Sequence, residues 1–229
     1  MSAGTDNSSL ASSLTDLMTS LAVIFVLLLV ASLNNMGQKG VQTRDQMVVK
    51  LKKALLDFKA SGVEVETDPK DALGLLVLVP EKVLNFDLNE WEISKGGDEF
   101  LQGFTPRLSE IVCSQQFRKE IQSIIVEGHA SSEGSDQTNF EISQKRSGAV
   151  VTKSLDVLGA GGHLATLNCF AGFVSAAGRG KREPVFDKAT HQEDRDASRR
   201  VIFKIRIRSI EQRELLEIIG GVQATAGAR

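Results

Sequence analysis

Ile125-Val-Glu-Gly-His-Ala-Ser-Ser-Glu-Gly-Ser-Asp136, followed after two residues by Asn139-Phe-Glu-Ile-Ser-Gln-Lys-Arg-Ser-Gly-Ala-Val150, decides the fold of this chain. The first part continues an apolar run, Ile121, Ile124, Ile125 and Val126, which stops at Gly128 and gives way to Ser, Glu and Gly. Such a run, bounded by a polar cluster, reads as a strand and its exit. The second part opens a helix over 139–158, with Ile142, Val150, Val151, Leu155 and Leu158 among its apolar positions.

Outward from this unit, Leu75-Leu-Val-Leu-Val79 is a short apolar strand ended by Pro80, and 83–88 reads as a second strand. Residues 95–119 carry a helical pattern through Phe100, Phe104, Leu108, Ile111, Val112 and Phe117, with Pro106 expected early in the helix or at a kink. Val201 to Ile207 alternates apolar and basic residues, which predicts a half-buried strand with Lys204, Arg206 and Arg208 outward. Strand, helix, strand, helix, strand implies an α+β sandwich, a mixed sheet with helices on one face, over 73–210. Residues 62–69 read as an acidic turn, and 211–229 as a frayed tail.

The N-terminal part has a different character. Leu17 to Leu33 is free of charge, and with the residues from Ser12 it approaches the ~20 residues of a spanning helix. This predicts a transmembrane helix over 12–34 after a short cytoplasmic N-terminus, 1–11. A cleaved signal peptide would need a positive leader, but residues 1–16 hold no Lys or Arg and carry Asp6 and Asp16. Asp16 lies at the mouth of the apolar run. A carboxylate there is costly and marks ion handling, or else it caps a helix start. Thr15, Thr19 and Ser20 add hydroxyls on or near its face, suiting a hydrated ion path or helix–helix contact. Asn34 to Gly40 reads as a polar break. Val48, Leu51, Leu55 and Phe58 then mark an amphipathic helix within a 35–72 linker, whose stripe needs a second copy or the main domain as partner. Lys39, Arg44, Lys50, Lys52 and Lys53 follow the span, and by that count alone the C-terminal domain would be cytoplasmic.

Composition narrows the function. Net charge is −2, tyrosine is absent and Trp91 is the lone tryptophan, so neither electrostatics nor stacking surface favours nucleic acid. Cys113 and Cys169 either form one disulfide in an oxidising compartment or remain two buried thiols. With one Cys pair and three His, no metal site is expected. No catalytic constellation stands out. Gly178-Arg-Gly-Lys181 lacks phosphate-loop spacing, so neither an enzyme nor a cofactor is expected.

The stretch quoted first resembles the OmpA-like peptidoglycan-binding domain, whose strand end reads EGHTD and whose helix reads N-x-x-L-S-x-x-R-A-x-x-V. Gly178-Arg-Gly-Lys-Arg-Glu-Pro184-Val is similar to that family's G-x-G-x-x-x-P-V loop, and Ser198-Arg-Arg-Val201 to its N-R-R-V strand entry. The resemblance covers about 73–208. It implies that Arg146 grips the carboxylate of a stem-peptide diaminopimelate, that Asn139 shapes the pocket, and that Arg199 and Arg200 support it. Ser143 and His129 belong to the matched motifs and are expected at the same site. The family's Asp falls on Ser131 here, leaving Glu133 or Asp136 to meet the ligand's ammonium, and Ser198 replaces an Asn. Thr15-Asp-Leu-Met-Thr19 resembles the start of the MotB stator helix. The short N-terminus makes the whole chain look most like the B subunit of the Zorya anti-phage system. That resemblance implies a homodimer with a MotA/ZorA-like ring, five copies by family stoichiometry. It also implies Asp16 carrying the translocated ion, H+ rather than Na+, and a single-pass inner-membrane protein with its domain in the periplasm on peptidoglycan. Alternatives are a flagellar stator subunit and a static wall tether.

Overall fold

The computed structural model describes residues 5–84, 86, 90–162, 164–209, 212 and 215. In chain order its elements are α1 (Thr5–Ala54), a 3-10 turn (Leu56–Ser61), β1 (Glu64–Thr67), β2 (Gly74–Pro80), α2 (Glu81–Leu84), α3 (Lys95–Val112), β3 (Ile121–His129), α4 (Asp136–Ala160), α5 (Leu164–Ala171), β4 (Val174–Gly180), α6 (Arg195–Ser198) and β5 (Arg200–Ile207). The chain divides into two compact units, Met1–Lys39 and Gly40–Arg229. The tail expected over 211–229 lies outside the described residues apart from Gln212 and Leu215, and the expected cytoplasmic segment 1–11 is described only as helical backbone from Thr5.

The first unit holds one helix long and apolar enough to cross a membrane, Ser12–Ser32, 21 residues with all side chains exposed. At ~1.5 Å per residue this span matches the ~30 Å hydrocarbon thickness. The expected break at Asn34–Gly40 is absent, because α1 is helical from Thr5 to Ala54. Two glycines cost a helix roughly 1 kcal/mol each, too little to end one supported by strong formers on both sides.

In the second unit the sheet order is β1-β2-β5-β3-β4, with every pair antiparallel except β3–β4. The parallel pair needs a crossover, and α4 with α5 supplies it. One sheet face buries Leu75, Val77 and Val79 of β2, Phe203 and Ile205 of β5, and Ile124 and Val126 of β3. Leu101, Phe104 and Leu108 of α3 and Val150 and Leu158 of α4 complete this core. Lys204 and Arg206 lie on the other face, where they pair with Asp68 at 2.6 Å and Asp71 at 2.7 Å.

Several boundaries differ from expectation. The domain starts near Gly40 rather than residue 73, because Met47, Val48, Leu51 and Leu55 are buried in the same core. The amphipathic stripe finds its partner in the chain's own domain and is not a free linker helix. Residues 64–67, read as turn, form the edge strand β1, whose alternation was hidden because Val65 alone turns inward. Of the second strand expected over 83–88, Val83 and Leu84 belong instead to the helical turn Glu81–Leu84, and residues 85, 87 and 88 lie outside the described residues. α3 ends at Val112 with Cys113 as its cap, short of Lys119, and holds Pro106 in its second half. β4 carries no strand signal in the sequence because Ser, Ala and Gly dominate it, and α5 carries little helical signal because it is one short helix after a glycine-rich turn.

Candidate functional site

Register places the site. Pro80 of β2 pairs with Arg200 of β5, Arg200 with His129 of β3, and His129 with Gly180 of β4, so four chain segments leave one end of the sheet side by side. Glu81 follows Pro80, Ser131 follows His129, and Arg199 precedes Arg200. These segments and the first turns of α4 enclose a cavity of about 890 Å³.

α4 can approach this end because Gly128 has no side chain. A Cβ there would lie 2.2 Å from the Ser143 carbonyl oxygen. Ser143 is correspondingly a packing residue. Its hydroxyl donates to Phe140 O and accepts from Gly180 N, each at 2.9 Å, and it does not line the cavity. Ser135 caps α4 by accepting from Thr138 N at 3.1 Å. Asn139, one helical turn in, donates to Glu133 O at 2.5 Å and Ser131 O at 3.4 Å, so it ties the strand-end loop to the helix.

Arg146 is the buried cation of the cavity, at 9% exposure. Its Nη1 forms an ion pair with Glu81, its Nε donates to Glu90 O at 2.9 Å, and its guanidinium lies 4.9 Å from the Phe86 ring centre. Arg199 reaches Glu81 at 3.4 Å and Glu133 at 3.7 Å, and also pairs with Asp196. Burial pushes the Glu81 carboxyl above its ordinary range, against the opposing pull of Arg146 and Arg199. Arg200 lines the cavity but donates to Glu183 O at 3.2 Å and Ser198 O at 3.1 Å, which secures the 183–198 loop. Ser198, in place of the Asn of the resemblance, accepts from Val185 N at 2.9 Å and pins the same loop.

Of the expected site residues, the structure gathers Ser131, Asn139, Arg146, Arg199 and Arg200 on the cavity and leaves Ser143 and His129 off it. His129 is buried 3.6 Å from Glu127 on the sheet face opposite the core, because strand alternation aims it away from α4. Burial depresses its pKa. Glu133 lines the cavity, whereas Asp136 pairs with Lys181 at 2.7 Å outside it. Glu81 was not foreseen. An acid after a strand-ending proline carries no signal until the pairing of β2 with β5 sets it beside Arg199.

In the first unit, Thr15, Asp16, Thr19 and Ser20 are all exposed and span ~140° of the helix circumference. The Thr19 hydroxyl donates to Thr15 O at 2.7 Å. Cys113 and Cys169 are joined by a disulfide, Cα atoms 6.0 Å apart, linking the end of α3 to α5. Among the described residues, no group of three or more His, Cys, Asp or Glu side chains converges to hold a metal.

No protein-family model matches the chain. It is 30% identical over 147 residues to the Zorya protein ZorB of Escherichia coli O139:H28, a match covering 62% of this chain and 58% of that relative. A second Zorya protein ZorB, from Escherichia coli strain ATCC 8739, is 26% identical over 208 residues, 84% of this chain and 86% of the relative. Among solved structures, a MotB-like protein from Desulfovibrio vulgaris superposes with a TM-score of 0.52 at 21% identity, covering 75% of this chain and 96% of that one. In sequence the chain is similar to ZorB proteins, and its fold, an α+β domain after one N-terminal apolar helix, is similar over most of the domain to that of a MotB-like protein.

Proposed function

We propose that this chain is the B subunit of an ion-driven stator that acts in anti-phage defence. Two copies pass their N-terminal helices through a ring of five MotA/ZorA-like subunits in the bacterial inner membrane. Asp16 accepts and releases the translocated ion, H+ rather than Na+, with the hydroxyls of Thr15, Thr19 and Ser20 beside the path. Neutralising one carboxylate changes its contact with the ring, and alternation between the two copies steps the ring round. The domain holds the dimer still by binding peptidoglycan in its cavity, where Arg146 and Arg199 supply the fork for a carboxylate. The chain performs no covalent chemistry and carries no cofactor.

One observation carries this reading: an acid at the head of a 21-residue apolar helix, on a chain whose other unit is an OmpA-like domain with a buried arginine in its cavity. The periplasmic side is supported by the Cys113–Cys169 disulfide, since such bonds persist in oxidising compartments. The basic residues that opposed this orientation are in part domain residues. Arg44 donates to Ala72 O at 2.6 Å, and Lys50 pairs with Gln116 and lies 5.3 Å from the Phe117 ring centre. Long loops and domains translocate largely regardless of charge.

The test is protection against phage by the intact gene neighbourhood, wild type beside Asp16→Asn at equal membrane levels. Loss of protection in the variant is the expected result. Full protection by the variant ends the motor reading and leaves a static tether. A wild type without protection favours a flagellar stator.

A further inference from the structure

The cavity's carboxylate fork is already holding a carboxylate, and it comes from the chain itself. Glu81 pairs with Arg146 Nη1 through one oxygen, while its other oxygen is buried, lacks a hydrogen bond and lies 3.4 Å from Arg199 Nε. Arg146 Nε is engaged by Glu90 O at 2.9 Å. A ligand carboxylate entering the fork has to take over the groups that Glu81 contacts on both arginines, because two carboxylates at that spacing repel.

We propose that Glu81 is an intramolecular competitor for the ligand carboxylate, so that the cavity fills only when Glu81 gives up Arg146 and Arg199. This rests on the wall-binding reading of the cavity and adds the term that sets its affinity and pH response. Glu81 stands at the start of the four-residue helix α2, directly after β2. A side-chain rotation there releases the fork with no rearrangement of the sheet. The apparent affinity is then reduced by the fraction of molecules in which the fork is open.

The competitor is itself titratable. The charged groups around it are Arg146 on α4, Arg199 before β5 and Asp196 on α6, with Glu64, Glu133, Lys82 and Arg200 on the same cavity. Burial favours its neutral form, so protonation releases the arginines while a ligand carboxylate stays ionised. Ligand therefore binds more tightly as pH falls toward the Glu81 pKa.

The experiment uses the full chain in detergent, with diaminopimelate as soluble probe by calorimetry and purified wall sacculi by pelleting. Glu81→Gln is expected to tighten diaminopimelate binding about tenfold at pH 7.5, the gain from an internal pair that is about nine-tenths closed. Wild type is expected to gain affinity as pH falls from 7.5 to 4.5, the ordinary glutamate value above which Glu81 is held, while Glu81→Gln does not, and Arg146→Ala removes binding in both backgrounds. If wild type binds and Glu81→Gln binds no tighter, the competitor role is overturned and wall binding stands. If neither binds either probe, both fall. Should Glu81→Gln lose its folded Trp91 fluorescence, the wild-type profile decides, and an affinity flat or falling toward pH 4.5 overturns the proposal.

Discussion

Reducing the Cys113–Cys169 bridge tests how the domain is held together and where it resides. The bond closes a loop of 56 residues that contains β3 and most of the crossover between β3 and β4. Chain-entropy loss for a loop of that size corresponds to about 4 kcal/mol of stability. In a domain of this length that is a fall in melting temperature of roughly 8–16 °C. The assay is denaturant unfolding of the full chain in detergent, followed by Trp91 fluorescence, with and without reductant and beside a Cys113→Ser/Cys169→Ser variant. Trp91 is a suitable reporter because Lys145 Nζ lies 3.9 Å from its ring centre on α4, so unfolding changes its surroundings. A shift below about 1 kcal/mol refutes the entropic account. Two alkylatable thiols in protein from unreduced cells would refute both the bond and the oxidising location.

Gly128→Ala should destabilise the domain by roughly 3 kcal/mol, because the new methyl meets Ser143 backbone and not a side chain that can turn away. Gly148→Ala in α4 is its control, with nothing within 4 Å of the added carbon, and should stabilise by about 0.8 kcal/mol; equal effects in chemical denaturation would sink the close-approach account. His129 has a folded pKa below its ordinary 6.5, so the unfolded chain takes up its proton first as pH falls. Its contribution is complete above that value and is lost on acidification through the folded pKa. The stability of wild type should therefore decline as pH falls below 6.5, and His129→Gln should flatten that upper limb; an unchanged limb would show that another group titrates there. Glu127 adds a second limb at lower pH. Its burial raises the pKa, but the His129 imidazole 3.6 Å away and the charge of Arg179 outweigh this and hold it below 4.5.

Much of the architecture was legible because it is written in local periodicity. The apolar runs at 75–79 and 121–128 and the helical spacing at 139–158 and at 95–119, of which 95–112 is helical, each bury one face against a single core. The span from Ser12 was legible for a simpler reason, since an uncharged run of that length has few other solutions. Arg146, Asn139 and Arg199 are implied by the resemblance, and the structure brings them to one cavity. His129 and Ser143, taken from the same motifs, fall elsewhere. Motif membership does not say which side of a strand or helix a residue faces, and here Ser143 is needed for the approach of α4 to Gly128.

The sequence by itself determined the two-part plan of the chain, an acid-headed apolar helix and an α+β domain, because hydrophobic pattern and helix length act over short stretches. Only the tertiary structure decided what the long-range pairings control. It assigned the 47–55 stripe to the domain's own core, made an edge strand of an acidic segment, and joined two cysteines far apart in sequence. It also set Glu81 against Arg146 and Arg199, which lie on three separate segments and meet because the register of β2, β5 and β3 ends at one edge. Charge pairing across a sheet end depends on that register, and no local pattern in the chain encodes it.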